Sequence, residues 1–212
     1  MYLAIEGVIG VGKTSLARLL QPIFDAELLL EVFEENPFLS NFYTDRKRYA
    51  FQTQIFFLLS RYHQQHDVVP NTLVKSDLIA DYTFAKDEIF AHLNLEGDEL
   101  DTYTLVHQAL AERIPTPDLI VYLKVETDIA MQRIATRDRS YERLMERSYM
   151  NDLNQAYEAF FSDHTACPVL SIDTNPLDFV ANKSHLSQIT NRIRASLGIP
   201  PFQPKLPLEE SP

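Results

Sequence analysis

Glycine, cysteine and positive charge are all scarce in this 212-residue sequence, which has five glycines, one cysteine, and 19 lysines and arginines against 30 aspartates and glutamates. The formal net charge is −11. Phosphate polymers demand clustered positive charge, so a nucleic acid polymer is not expected as a partner. The single cysteine, Cys167, excludes an intramolecular disulfide framework and fits a reducing compartment. With no paired cysteine or histidine ligands nearby, it reads as a buried small hydrophobe rather than a nucleophile, and no metal cage is expected. No apolar run approaches the roughly 20 residues of a membrane span, and the start of the chain lacks a signal-peptide pattern, so the expectation is a cytoplasmic protein without membrane contact. At 45% hydrophobic, the chain suffices for one well-buried α/β domain with an appended lid.

Three of the five glycines fall within eight consecutive positions, Gly7, Val8, Ile9, Gly10, Val11, Gly12, Lys13 and Thr14. This is the complete G-x-x-x-x-G-K-[ST] phosphate loop. An apolar run over 2–5 precedes it as a strand, and Ser15, Leu16 and Leu19 continue it with helical spacing, the context such a loop requires. Glycine lets the backbone curl so that successive N–H groups face a β-phosphate, while the helix that follows adds the positive end of its dipole. Lys13 is then placed to neutralise β/γ-phosphate charge, and the Thr14 hydroxyl to ligate Mg²⁺. A nucleoside triphosphate is the expected ligand.

Along the chain strands alternate with helices, which predicts a five-stranded parallel sheet covered by helices on both faces. The strands are expected at 2–6, 27–32, 74–80, 118–125 and 168–173. Residues 49–66 predict a long helix with an apolar face of Phe51, Ile55, Leu58, Leu59 and Tyr62, and residues 98–113 another through Leu100, Tyr103, Val106 and Leu110. The tail over 199–212 carries too much proline for a packed element and is expected to be extended or disordered, leaving 1–198 as the folded domain.

In open parallel sheets the ligand crevice lies at the carboxyl edge, where the loops after the strands converge. Two acids fall there, Glu31 after the second strand and Asp81 after the third. A carboxylate beside a phosphate loop can accept a proton from an attacking hydroxyl or hold the waters around Mg²⁺; either acid could equally cap the helix that follows it.

The phosphate loop, the segment 31–38 (Glu31-Val-Phe-Glu-Glu-Asn-Pro-Phe38), the aromatic-rich helix around Gln54 and Arg61, the Asp81-Tyr82-Thr83 segment with Asp87, and the run from Arg133 to Arg139 together resemble the deoxynucleoside kinase family. The likeness is strongest to its bacterial deoxyguanosine and deoxyadenosine kinases and runs from residue 2 to about residue 193. It implies a P-loop nucleoside triphosphate hydrolase-type fold with an arginine-bearing lid over 133–146, and ATP-dependent phosphorylation of a deoxynucleoside 5'-hydroxyl with purines preferred. By that resemblance Glu31 is the general base, Asp81 joins Thr14 at the metal, and Tyr43 and Glu142 contact the sugar 3'-hydroxyl. Gln54, Arg61 and Asp87 read the nucleobase, Arg133, Arg137 and Arg139 close over the phosphates, and the loop containing Asp178 frames the donor adenine. Seven residues is two helical turns, so Gln54 and Arg61 share a helix face. The resemblance also implies a homodimer through the long helices, or a heterodimer with a related kinase subunit.

One departure stands out. Much of the family carries an acid-Arg-Ser/Thr triplet after the third strand, whereas here Tyr82 occupies the arginine position, and a tyrosine cannot supply the lost charge. Lys86 or a lid arginine could do so. Three rivals stay open: a nucleoside monophosphate kinase of the thymidylate kinase type, a GTPase, and a low-activity nucleotide-sensing subunit. The first needs extra cations for an acceptor phosphate that Glu31 would repel, and the second needs an Asn-Lys-x-Asp sequence that is absent.

Overall fold

The computed structural model describes residues 1–32 and 35–202. Among them five strands form one sheet with every pairing parallel, in the order β2-β3-β1-β4-β5: β1 Tyr2–Glu6, β2 Ala26–Leu29, β3 Asp77–Ala80, β4 Leu119–Lys124 and β5 Val169–Asp173. The central strand β1 is buried along its whole length, as expected of a strand covered on both faces, and its register is Leu3 opposite Ile79 and Ala4 opposite Ile120. The chain builds β2 and β3 on one side of β1 and then crosses to β4 and β5 on the other, so the crevice for ligands opens at the carboxyl end of β1.

Two strands depart from their expected bounds by more than one residue at an end. The third begins at Asp77, because residues 69–73 form a short helix whose last turn is closed by the Lys75 and Ser76 N–H groups on the Thr72 carbonyl; Val74 is 84% exposed. The second ends at Leu29, so Glu31 stands two residues past the strand instead of at its end. There the Glu31 N–H leaves the sheet and donates to Asp81 Oδ1 at 2.8 Å, a side-chain bond that replaces a ladder bond.

The helices are α1 Lys13–Phe24, α2 Leu39–Thr44, α3 Arg46–His63, α4 Val69–Leu73, α5 Lys86–Asn94, α6 Gly97–Ala111, α7 Thr127–Arg137, α8 Arg147–Asp163 and α9 Lys183–Ser196. The long helix predicted for 49–66 starts earlier, where Asp45 caps it by accepting from the Arg48 N–H, and it widens into a π-helical turn at Gln64–Val68. Its fully buried face shares only Leu58 with the apolar one read from the sequence. Ala50, Thr53, Gln54, Phe57, Leu58 and Arg61 point inward, while Leu59 is 43% exposed and Phe51, Ile55 and Tyr62 are only partly covered. Residues 199–202 have no regular structure, and the rest of the proline-rich tail, like Phe33 and Glu34, lies outside the described residues.

Candidate active site

The phosphate loop joins β1 to α1, and its three glycines are sterically required. Gly7, Gly10 and Gly12 have φ of 144°, 83° and 108°. A Cβ would lie 2.5 Å from the Leu123 carbonyl oxygen at Gly7 and 2.8 Å from that of Ala130 at Gly10. Lys13 folds back over this loop, donating to the carbonyls of Gly7 at 2.6 Å and Val8 at 3.1 Å. Burial, seconded by the nearby Lys86 ammonium, lowers its pKa to about 8, and an arriving polyphosphate would oppose that shift.

Beside the loop lies a chain of charge. The Thr14 hydroxyl donates to Asp81 Oδ2, and Asp81 Oδ1 receives the Glu31 N–H. The Glu31 carboxylate is gripped from both sides: Lys86 Nζ stands 2.6 Å from Oε2, and Arg61 donates to Oε1 through Nε at 3.0 Å and through Nη2. Arg61 continues to Asp87 through Nη1. Burial alone would raise the Glu31 pKa; the Lys86 ammonium and the Arg61 guanidinium outweigh it and hold the carboxyl well below the usual range. Thr14 and Asp81 offer one hydroxyl and one carboxylate, a hard-oxygen set that suits an Mg²⁺ ion completing its shell with water and phosphate oxygens. Among the described residues no cluster of three His, Cys, Asp or Glu could hold a metal by itself.

A single cavity of about 160 Å³ is lined by Ile9, Gly10, Gly12, Lys13, Thr14 and Ser15 at one end and by Gln54, Phe57 and Arg61 at the other, with Glu31, Asp81 and Lys86 between them. Tyr43 and Glu142 border it, as do Arg137 and Arg139. Glu142 is buried and accepts from Arg137 at 2.5 Å and 3.2 Å, with Arg139 Nη1 at 3.7 Å. Tyr43 stacks on Tyr141, centroids 6.4 Å apart.

Other expected site residues stand apart from this space. Gly7, Val8 and Val11 form the loop's base without lining the cavity. Asp87, fully buried, lies behind Arg61. Arg133 is one turn from Arg137 yet does not project with it. Its guanidinium turns toward the backbone, donating to the Val11 carbonyl at 3.1 Å and the Thr174 carbonyl at 3.3 Å, which ties the phosphate loop to the turn after β5. In that turn Asp178 Oδ1 accepts from the Val180 and Ala181 N–H groups, and Phe179 packs on Gly12. Cys167 is half-buried, with Sγ 3.7 Å from His164 Nε2, so the reading of a buried thiol without a histidine neighbour is corrected.

Two residues gain importance from the structure. Tyr82 is wholly buried and donates to Gln64 Oε1 at 2.6 Å, away from the phosphate loop, while Lys86, 3% exposed, brings a cation to Glu31. Glu6 was not anticipated. This fully buried carboxylate at the end of β1 accepts from the Thr83 N–H at 2.6 Å and hydroxyl at 2.9 Å, and burial raises its pKa. It clamps the segment after β3 to the start of the phosphate loop. A charged residue ending an otherwise apolar strand was its only trace in the sequence.

A glycine loop closing the first strand of a parallel sheet, a lysine and threonine at the helix start, and a carboxylate facing them define a P-loop phosphotransferase. Residues 3–197 match the family model "Deoxynucleoside kinase", and the chain belongs to that family. A deoxyguanosine kinase of Bacillus subtilis (strain 168) is 36% identical over 198 residues, covering 91% of this chain and 96% of the relative. A deoxyadenosine kinase of Dictyostelium discoideum is 34% identical over 178 residues, or 81% and 71% of the two chains. The structure of a deoxyadenosine kinase from M. mycoides with bound dATP superposes with a TM-score of 0.80 at 28% identity, covering 92% of this chain and 99% of that one. The chain is thus a kinase that phosphorylates deoxynucleosides using a nucleotide donor.

Proposed function

We propose that the preferred acceptor is a purine deoxynucleoside, deoxyguanosine or deoxyadenosine, and that ATP with Mg²⁺ is the donor. The observation that carries this reading is the position of Glu31 in one cavity, between the phosphate loop and the polar face of α3 with Gln54 and Arg61. Mg²⁺ at Thr14 and Asp81 supplies neutralisation of phosphate charge when bound. Lys13 holds the β/γ-phosphates, and Glu31 accepts the 5'-hydroxyl proton. Residues 133–146 act as the lid, with Arg137 and Arg139 exchanging contact with Glu142 for phosphate oxygens. Glu142 then turns with Tyr43 to the sugar 3'-hydroxyl, while Arg133 supports the loop from behind.

Arg61, which borders this cavity of about 160 Å³, exchanges its contact with Glu31 for the nucleoside as it enters. Arg61 then serves the base together with Asp87 and Gln54. The ionised Asp87 only accepts and Arg61 only donates, a pattern that guanine and adenine satisfy and that thymine, with O4 in place of an amino group, does not. The relatives named as deoxyguanosine and deoxyadenosine kinases support the purine preference. Such an enzyme would work in cytoplasmic nucleotide salvage. A dimer would use the outer faces of α3 and α6, where Leu59 and Leu105 are exposed. Competition among the four deoxynucleosides with ATP and Mg²⁺ tests the reading: kcat/KM is expected to be highest for a purine and lowest for thymidine. A thymidine preference would overturn the base-reading trio, and a deoxycytidine preference the purine assignment alone.

A further inference from the structure

The central strand β1 is buried throughout; Tyr2, Leu3, Ala4 and Ile5 are followed by an acid, Glu6, with no exposed surface. A carboxylate at that depth costs stability, and an apolar side chain in its place would avoid the cost. Stability alone therefore does not account for Glu6. Its two oxygens reach opposite halves of the active site.

On the donor side, Oε2 accepts from the N–H of Gly7, the first residue of the phosphate loop, at 3.2 Å, and the Gly7 carbonyl in turn accepts from Lys13 Nζ at 2.6 Å. On the acceptor side, Oε1 accepts from the Thr83 N–H at 2.6 Å and the Thr83 hydroxyl at 2.9 Å. Thr83 stands three residues before Lys86, whose ammonium grips Glu31. Tyr157, which lines the active-site cavity, adds its hydroxyl to Oε2 at 3.5 Å. The register between β1 and β3 ends at Ala4 opposite Ala80, and past it the Glu6 carboxylate continues the connection. Burial raises the Glu6 pKa while the Lys86 and Lys13 ammoniums oppose the rise, so the acid lies within electrostatic reach of both cations.

We propose that Glu6 is a positioning residue for phosphoryl transfer, a single buried carboxylate that fixes the phosphate loop carrying Lys13 against the segment carrying Lys86, so that donor phosphate and acceptor hydroxyl meet in line. Each half of the site forms without it; their mutual placement does not. Transfer depends on that placement more steeply than binding does, because the reacting atoms must approach to about 3 to 3.5 Å in alignment. The proposal rests on the reading of Lys86 as a cation of the acceptor side.

Kinetics of Glu6→Gln, Thr83→Val and Thr83→Ser test this, using the deoxynucleoside that the protein phosphorylates best, with the dissociation constants of ATP and of that nucleoside each measured alone and thermal unfolding as the fold control. Whichever way the glutamine amide is turned, its NH₂ meets a backbone N–H, of Gly7 or of Thr83, and one bond is lost. In Glu6→Gln kcat is expected to fall about 10- to 10²-fold, the scale of a misplacement of about 1 Å, with both dissociation constants within about twofold of the parent values. Thr83→Val, which removes one hydroxyl, should lower kcat about three- to tenfold, and Thr83→Ser should restore it. Unchanged kcat in Glu6→Gln overturns the proposal, as does a loss confined to melting temperature or to ATP affinity. Where Glu6→Gln does not fold, the Thr83 pair decides, and equal kcat in Thr83→Val and Thr83→Ser overturns it. Full turnover in Lys86→Met overturns the acceptor-side reading and this proposal together, whereas a low kcat there beside an unchanged one in Glu6→Gln overturns this proposal alone.

Discussion

Lys86 and Glu31 form a buried ion pair, with Nζ 2.6 Å from Oε2, on the chain segment whose arginine position is taken by Tyr82. Lys86, the sixth residue after β3, stands on the first turn of α5, from which its ammonium meets the carboxylate. The tyrosine at the arginine position turns into the core.

Lys86 is one of the two cations that grip Glu31. Lys86→Met keeps the apolar stem but removes the ammonium, and is expected to lower kcat by on the order of 10²-fold, as for loss of a charged group aimed at a reacting centre. Lys86→Arg should recover part of that loss. Steady-state turnover of both variants, with thermal unfolding as a fold control, checks the expectation; unimpaired turnover in Lys86→Met would remove the residue from the mechanism.

Lys13 gives a pH dependence with a definite sign. Its ammonium has a pKa lowered to about 8 in the free protein, so ATP binding is expected to weaken as pH rises through that value and the positive charge is lost. Removing the Lys86 charge takes away one cause of the depression, so in Lys86→Met the midpoint should move upward. ATP dissociation constants measured from pH 6.5 to 9.5, an interval of about three units around the value, would reveal both effects.

The sugar contacts assigned to Tyr43 and Glu142 predict poorer phosphorylation of 2',3'-dideoxynucleosides, which leave both polar groups without a partner. Tyr43→Phe should narrow the gap between 2'-deoxy and 2',3'-dideoxy substrates. Equal kcat/KM for the two in the parent enzyme contradicts the assignment.

The phosphate loop and the acids after the second and third strands were legible because a parallel sheet converges its strand ends on one edge, whatever the details of the chain. The faces of the helices were harder. On α3 the apolar residues Phe51, Ile55, Leu58, Leu59 and Tyr62 look like a core stripe, yet only Leu58 of them is fully buried, and the helix turns Gln54, Phe57 and Arg61 to the cavity. Helical spacing set Arg133 and Arg137 one turn apart, but Ala130 and Ile134 fix the rotation of α7, and Arg133 ends against backbone carbonyls while Arg137 reaches Glu142. Glu6 left almost no trace, since its partners Thr83 and Tyr157 are 77 and 151 residues away. Long-range pairing of that kind carries no local signal.

Glu31 is the residue on which Lys86, Arg61 and Asp81 converge, and the proposed general base. Glu31→Gln retains its shape and removes the proton acceptor, so the most direct measurement is kcat for deoxyguanosine with ATP and Mg²⁺ in that variant. A fall of about 10²-fold or more with folding intact is expected, the upper range of general-base contributions being roughly 10⁴. Turnover equal to that of the unaltered protein would contradict the mechanism.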